Sequence, residues 1–298
     1  MDVAIGDVFA VQDQIVTDTV ARIAPSVRNA ELKRALRKPP ETLSAYDALL
    51  RALDLIARLD REAFERAASF LYQAREIEPG FALPHAWAAW IHMYRTALGW
   101  SRDPRADIDQ AEAFAQAAVR LDGRNARALA TLGHLRAFFH HDHDVGRQYV
   151  ADALMACPND PFCWAMSSAT ASYTGRPAEA VLHAQKALRL SPFDKYRFYY
   201  RAALGLAHYV AGGYEEAIRC GRIAVDENPA FTSNLRYLAA SLAASGELME
   251  ARAAGRALLA QQPGFNLQAY RARIPFRDDA LRALHVEHLR MAGVPERG

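Results

Sequence analysis

The stretch AIRCGRIAVDENP, residues 217–229, decides the fold because its pattern recurs along residues 146–263. A small residue is followed by a small or apolar residue, then by Ala or Leu, and then by a proline. The four copies are Gly146, Val150, Ala153 and Pro158; Ala180, Ala184, Ala187 and Pro192; Ala217, Gly221, Ala224 and Pro229; and Ala251, Gly255, Leu258 and Pro263. Residues at this spacing share one face of a helix, where small side chains let a second helix approach, and the proline ends the helix.

The closing prolines are 34, 37 and 34 residues apart. A fixed period of this size is typical of repeat proteins, in which each unit buries its apolar face against the next unit. Each copy therefore predicts the second helix of a repeating helical pair.

A first helix with large apolar residues precedes each copy, as in Leu204 and Gly205, followed by His208 and Tyr209. With this helix the unit resembles the tetratricopeptide repeat family. The resemblance implies an all-α fold, a right-handed superhelical solenoid of antiparallel helix pairs with about six repeats. N-terminal helices would precede the array, a C-terminal capping helix would close it, and the concave groove would bind another chain.

The period divides the chain into three parts: an N-terminal helical segment at 1–40, a repeat array at 41–270 and a C-terminal cap at 271–298. Residues 7–23 predict an amphipathic helix that needs a partner for its apolar stripe. Residues 98–107 form a longer loop than the second repeat requires. Residues 277–291 predict the helix that closes the array.

The bulk composition argues against three classes of protein: nucleic-acid-binding, membrane-spanning and secreted proteins. The formal net charge is +2, which indicates no general affinity for nucleic acid, and no apolar run is long enough for a membrane span. The basic residues at 28–38 are interpreted as a solvated face rather than a nucleic-acid or lipid contact. The start lacks the pattern of a signal peptide, and the three cysteines have no CxxC spacing, so a cytoplasmic protein is predicted.

Five further stretches together carry a more specific resemblance: DVFAVQDQI at 7–15, RKPPE at 37–41, GWS at 99–101, LSPFD at 190–194 and LRMAGVPE at 289–296. As a set they resemble the C-terminal region of bacterial regulators in which an adenylate cyclase domain or a winged-helix DNA-binding domain precedes the repeats. The resemblance implies that those domains would lie upstream of Met1, with residues 1–40 a remnant of an upstream α/β domain. We therefore expect no synthesis of cyclic AMP.

The chain has one cluster of metal-ligand residue types, His140, His141, Asp142, His143 and Asp144, with His134 nearby. The cluster falls between the two helices of the third repeat, where a polar turn is required in any case. We interpret it as a solvated turn and predict no metal site and no cofactor. A metal-responsive module remains the alternative.

No catalytic residue is predicted, because the motifs GxSxG, GxxxxGK[ST], GxGxxG and HExxH are missing. Cys157 and Cys163 flank a repeat boundary and are interpreted as packed thiols.

The groove is the predicted site. In the family that the chain resembles, the first helix of each pair lines the concave face, and the matching residues include Phe162, Tyr199, Leu206, Tyr209 and Arg236. Tyrosine and arginine are common at the centre of protein interfaces. Part of the aromatic run at 196–200 must also pack between repeats.

These observations predict a non-enzymatic scaffold or sensory module of a bacterial signalling system, with a protein or peptide partner in the groove and no nucleic-acid or membrane partner. The alternative is a truncated regulator fragment that forms a homo-oligomer through the N-terminal helix.

Overall fold

The computed structural model describes Thr19, Ile23 and residues 27–39 and 42–297, and every regular element in these residues is helical. The elements in chain order are α1 (Ala45–Ile56), α2 (Arg61–Ile77), α3 (Ala82–Ala97), α4 (Pro104–Leu121), α5 (Ala126–His134), a π-helical turn (Leu135–Phe139), α6 (His143–Ala156), α7 (Pro161–Tyr173), α8 (Pro177–Leu190), α9 (Arg197–Val210), α10 (Tyr214–Glu227), α11 (Thr232–Ala244), α12 (Leu248–Gln261), α13 (Leu267–Arg271) and α14 (Asp279–Met291). Within these residues, every helix is too short or too polar to cross a membrane.

Local sequence explains where the helices begin and turn. Ser44 and Asp47 form a capping box at α1, and Asp60, Asp103, Asn125 and Asp160 cap later helices. The turns inside three pairs contain Gly175, Gly212 and Gly246, whose φ angles lie between 72° and 81°. A glycine adopts this conformation at little cost, so the chain reverses sharply inside each pair.

Helices α1 to α12 form six consecutive antiparallel pairs, and the predicted all-α solenoid of helix pairs is confirmed. The small residues of the repeat lie where the helices approach most closely. A Cβ at Gly221 would lie 3.0 Å from Leu238 Cδ1, and one at Gly146 would lie 2.8 Å from the Gly133 carbonyl oxygen. The period of small residues therefore sets the spacing between helices.

The long loop after α3 is packed rather than open. Trp100 N donates to the Arg95 carbonyl oxygen at 2.8 Å, and the Trp100 ring meets the Phe64 ring edge-on at 5.2 Å. The loop thus closes one edge of the first two pairs.

The residues before α1 pack against the first pair. Residues 27–36 are helical. Arg51 Nη2 donates to the carbonyl oxygens of Ala35 and Lys38 at 2.7 and 2.6 Å, and Lys38 forms an ion pair with the buried Asp47. The amphipathic helix predicted at 7–23 lies outside the described residues, except for Thr19 and Ile23.

Helix α14 confirms the predicted capping helix. It packs on α11 and α12, and Gly255 faces the carbonyl oxygen of Ala292 so closely that a Cβ would overlap it. The chain then returns beside α13, where Leu267 N and Gln268 N donate to the carbonyl oxygens of Pro295 and Glu296.

Candidate protein-binding surfaces

The first helix of each pair contacts the first helix of the adjoining pair, which places these helices on the inner, concave side of the solenoid. This is the side on which the sequence predicts a groove.

The inner face closes on itself between the early and late pairs. Tyr94 of α3 stacks on Phe231 with the ring centroids 6.1 Å apart and meets Tyr199 of α9 at 5.9 Å. Trp87 lies 6.1 Å from Tyr196, ring to ring. Tyr94, Trp87, Tyr199 and Phe231 belong to one apolar cluster, and Tyr196 packs against it. We call this cluster the first-half core, because most of its buried members lie in the first half of the chain. An aromatic core therefore fills this part of the concave side.

Two polar contacts flank this closure. Lys195 Nζ forms an ion pair with Asp54 at 2.9 Å, and Tyr196 OH donates to the Leu53 carbonyl oxygen at 3.4 Å. Both join the loop before α9 to α1. The aromatic contacts bury far more apolar surface, so they carry most of the stabilisation.

Arg127 extends the first-half core. Its guanidinium lies 4.2 Å from the centre of the Trp87 ring and 4.1 Å from that of Phe162, and Nη2 lies 3.4 Å from Asp160 Oδ2. Burial opposes the charge of Arg127, but the neighbouring carboxylate of Asp160 outweighs burial and raises the pKa of the guanidinium. The cation is therefore both stacked and paired.

The five residues predicted to line the groove are all buried. Their exposed fractions are 4% for Phe162, 9% for Tyr199, 3% for Leu206, 2% for Tyr209 and 4% for Arg236. Phe162 and Tyr199 stack on each other at 6.2 Å, whereas Leu206 and Tyr209 belong to a separate cluster. The side chains are covered because the solenoid curls onto them, and their role in binding a partner stays a prediction.

We call the second apolar cluster the C-terminal core. It includes Phe276, which lies in the segment before the cap helix α14 and packs against the inner face. Phe276 is fully buried and lies 6.2 Å from Tyr173. His143 Nε2 bonds to the Pro275 carbonyl oxygen at 2.7 Å, and Arg277 N donates to the Tyr173 carbonyl oxygen at 2.8 Å. The chain's own segment thus lies against the third and fourth pairs.

Buried histidines hold the cap helix to the fifth pair. Tyr209 OH lies 2.9 Å from His288 Nδ1 and 3.1 Å from His285 Nδ1, and His285 Nε2 lies 3.3 Å from Tyr270 OH. Burial, with help from the charges of Arg236 and His288, lowers the pKa of His285 to about 3. Burial also lowers the pKa of His288, so both imidazoles are neutral at pH 7.

Sequence reasoning missed a polar cluster between the first two pairs. Tyr72 OH lies 2.9 Å from His92 Nε2, and His92 Nδ1 lies 2.6 Å from Asp107 Oδ1, which also accepts from Arg95. Burial opposes ionisation of Asp107, but hydrogen bonds, including those from His92 and Arg95, outweigh it and lower the pKa. The residues come from three helices, so no local spacing could have indicated the cluster. Its contacts join α2, α3 and α4.

The predicted histidine cluster is dispersed. His140 Nε2 lies 3.3 Å from Glu112, His143 bonds to Pro275, and His134 is buried against Phe138 and Tyr173. Among the described residues, no group of three or more His, Cys, Asp or Glu side chains could hold a metal ion. This geometry gives no support to the metal-responsive alternative.

An open cleft lies on the cap, along α14. It has a volume of about 490 Å³, an apolar floor of the buried Ile274 and Val286, and walls that include Arg271, Arg282 and Arg290 together with Glu287. The size is that of a ligand site. Glu296 lies between two of the arginines and pairs with both Arg271 and Arg290. The cleft can therefore hold carboxylates beside an apolar floor.

No protein-family model matches the chain. A curated protein of Rhizobium meliloti (strain 1021), named "Putative adenylate cyclase 3", is 28% identical over 131 residues, which are 44% of this chain and 22% of that protein. The match thus spans about a fifth of the relative's length. Its name agrees with the resemblance to adenylate cyclase regulators stated from the sequence.

Two solved structures share the architecture. A chain of the APC/C hetero-tetramer Cut9-Hcn1 aligns with a TM-score of 0.58 and 14% identity, covering 93% of this chain and 48% of that one. A thermophilic TPR protein of Thermus thermophilus aligns with a TM-score of 0.51 and 15% identity, covering 67% of this chain and 99% of that one. At these identities the likeness concerns the fold alone. The chain therefore has the tetratricopeptide repeat fold.

Proposed function

We propose that this chain is a non-enzymatic protein-binding module of a bacterial signalling or regulatory system that acts in the cytoplasm. The fold supports this proposal, because stacked helix pairs present long surfaces to other chains. The similarity to a protein named as a putative adenylate cyclase supports the proposal that this repeat array works together with signalling domains.

The observation that carries the proposal is the open cleft on α14. Arg271 and Arg290 keep 40% and 47% of their side-chain surface exposed, so a partner can reach them. Glu296 already sits between them, which indicates the chemistry of the partner: an acidic segment that also offers an apolar side chain to Ile274 and Val286. We assign this cleft as the first surface for binding.

The inner face is a second surface. The buried residues Phe162, Tyr199, Leu206, Tyr209 and Arg236 would meet a partner only after the closure between the early and late pairs opens. The aromatic closure opposes this, so binding there would be weakened by the cost of opening.

The test is affinity capture from the lysate of the source bacterium, with proteins identified by mass spectrometry and the capture repeated in the presence of a poly-glutamate peptide. The variant Arg271→Glu/Arg290→Glu reverses two charges in the cleft. The matched control Arg102→Glu/Arg124→Glu reverses two exposed charges that are distant in sequence from the cleft residues. We expect one partner to be retained by wild type and control, lost by the cleft variant and released by the peptide.

Equal capture by both variants, with no effect of the peptide, would refute binding at the cleft. If Lys195→Glu/Tyr196→Ala, which loosens the closure, instead increases capture, the inner face is the binding surface.

A second candidate function, self-association, is favoured by exposed apolar residues before α1. Ile23 and Val27 are 54% and 51% exposed. Light scattering across a concentration series tests it: a dimer that Ile23→Asp/Val27→Asp converts to a monomer supports self-association, and a monomeric wild type contradicts it.

A further inference from the structure

Arg236 is a buried cation without a carboxylate partner among the described residues. Its side chain is 4% exposed, Nη2 donates to Ser233 Oγ at 2.7 Å, and Nη1 donates weakly to Gln262 Oε1 at 3.4 Å. The Nε atom is buried and has no partner in the same part of the chain. The guanidinium lies 5.7 Å from the centre of the Phe265 ring and 5.6 Å from that of Tyr270. These neighbours are all neutral.

A second arginine faces the same space. Arg273 and Arg236 line one cavity together with Thr96, Gln262, Phe138 and Phe139. Neither arginine forms an ion pair with an acidic residue in the described part of the chain, whereas Arg127 and the cleft arginines Arg271, Arg282 and Arg290 do. Two positive charges thus meet at one cavity without a counterion from the described residues.

The electrostatic consequence is visible on a neighbouring group. Burial, and after it the charge of Arg236, lowers the pKa of His285. A buried charge that is not paired is costly, and proteins usually supply a partner. Within residues 27–39 and 42–297, the chain does not supply one.

The cavity is small and built from fixed parts. Its volume is about 20 Å³, enough for one particle about the size of a water molecule. Gln262 is held against Gly99, whose φ is 75° and whose Cβ, if present, would lie 2.5 Å from Gln262 Nε2. The π-helical turn supplies the aromatic wall with Phe138 and Phe139. π-helical turns occur often at functional sites.

We propose that this cavity binds one monatomic anion, a halide, between Arg236 and Arg273. The Nε–H of Arg236 is a buried donor without a partner among the described residues, and Arg273, which also lines the cavity, has its side chain open to solvent. The bound anion joins the sixth pair to the segment before the cap and to the end of α3.

Thermal unfolding in a halide-free buffer tests this site, with sodium bromide exchanged for sodium gluconate at constant ionic strength. We expect the Tm of wild type to rise with bromide and to rise less with formate and with sulfate, which are larger ions. Arg236→Gln should abolish the bromide-dependent rise. Arg273→Gln, a change at an exposed side chain, should weaken bromide binding roughly tenfold, the equivalent of one charge-assisted hydrogen bond.

Arg124→Gln is the matched control, because it removes one exposed positive charge away from the cavity, and it should respond to bromide as wild type does. Anomalous scattering from bromide-soaked crystals should place an ion between the two guanidinium groups. A bromide response that is equal in wild type and Arg273→Gln, or an ion found only elsewhere, would overturn the proposal. Partner capture does not enter this test, so the two proposals fail independently.

Discussion

Two arginines, the partly buried Arg127 and the buried Arg236, mark the difference between the two cores. In the first-half core, Arg127 lies between the rings of Trp87 and Phe162 and pairs with Asp160. In the C-terminal core, Arg236 lies near two rings but has no acidic partner among the described residues. Both cores use aromatic packing, yet only the first balances its charge.

The comparison shows which core balances its charges with its own residues and which core depends on protons or ions from solution. The first-half core is closed by aromatic contacts, and the carboxylate of Asp160 balances the positive charge of Arg127. The C-terminal core contains His285, whose pKa is lowered to about 3, and Arg236, which has no acidic partner among the described residues, so protons and anions act on it. We therefore expect the C-terminal half to respond first to changes in solution conditions.

The largest effect is expected from Gly255→Ala, which should push the end of α14 away from α12. The added methyl group would overlap the Ala292 carbonyl oxygen, a backbone atom that cannot rotate away. We expect a loss of about 3 kcal/mol in the free energy of unfolding. Hydrogen exchange should show α14 unprotected while α3 keeps its protection. Gly80→Ala, at a position with open space, is the control and should change little; equal protection of α14 in both variants would contradict the packing argument.

Lowering the pH should destabilise the C-terminal core, by less free energy of unfolding than the Gly255→Ala change. The pKa of His285 is about 3 in the folded chain and about 6.5 when unfolded, so the unfolded state binds a proton first as the pH falls. Its contribution is full above pH 6.5 and decreases down to about pH 3, by about 2 kcal/mol at pH 5. Urea denaturation at pH 7 and pH 5 measures this loss.

His285→Phe should flatten that pH dependence even if it lowers stability at pH 7, because the variant has no proton to bind at this position. The residual slope should reflect the other buried imidazoles, such as His134, whose pKa burial lowers to about 4. An unchanged slope in His285→Phe would show that this residue is not the source.

The smallest effect is expected from removing the charge that balances Arg127. Asp160→Asn keeps an oxygen that can accept from Phe162 N at the start of α7 but removes the ion pair, and both members are partly exposed. We expect a loss of about 1 kcal/mol. Asp160→Ala should cost about 1 kcal/mol more, because the helix cap is lost too. Chemical denaturation followed by tryptophan fluorescence reports on this core; equal losses in the two variants would show that the cap contributes nothing.

The sequence predicted the helices and their order because each signal for a helix lies within the same repeat as that helix. Small residues such as Gly221 and Gly146, the prolines and the capping residues act on their own helix and its partner. The cap helix was predicted for the same reason. The closure of Trp87 on Tyr196 was not, because nothing in a repeat's own pattern specifies how far the array curls.

The sequence by itself determined the all-α repeat fold, since helix periodicity, small-residue spacing and turn glycines depend on neighbouring residues only. The tertiary structure alone decided which surfaces are open. It buried Phe162, Tyr199 and Arg236, left the cleft beside Arg271 accessible, and brought Arg236 and Arg273 to one cavity. These outcomes depend on the summed curvature of six helix pairs and on contacts between residues far apart in the chain.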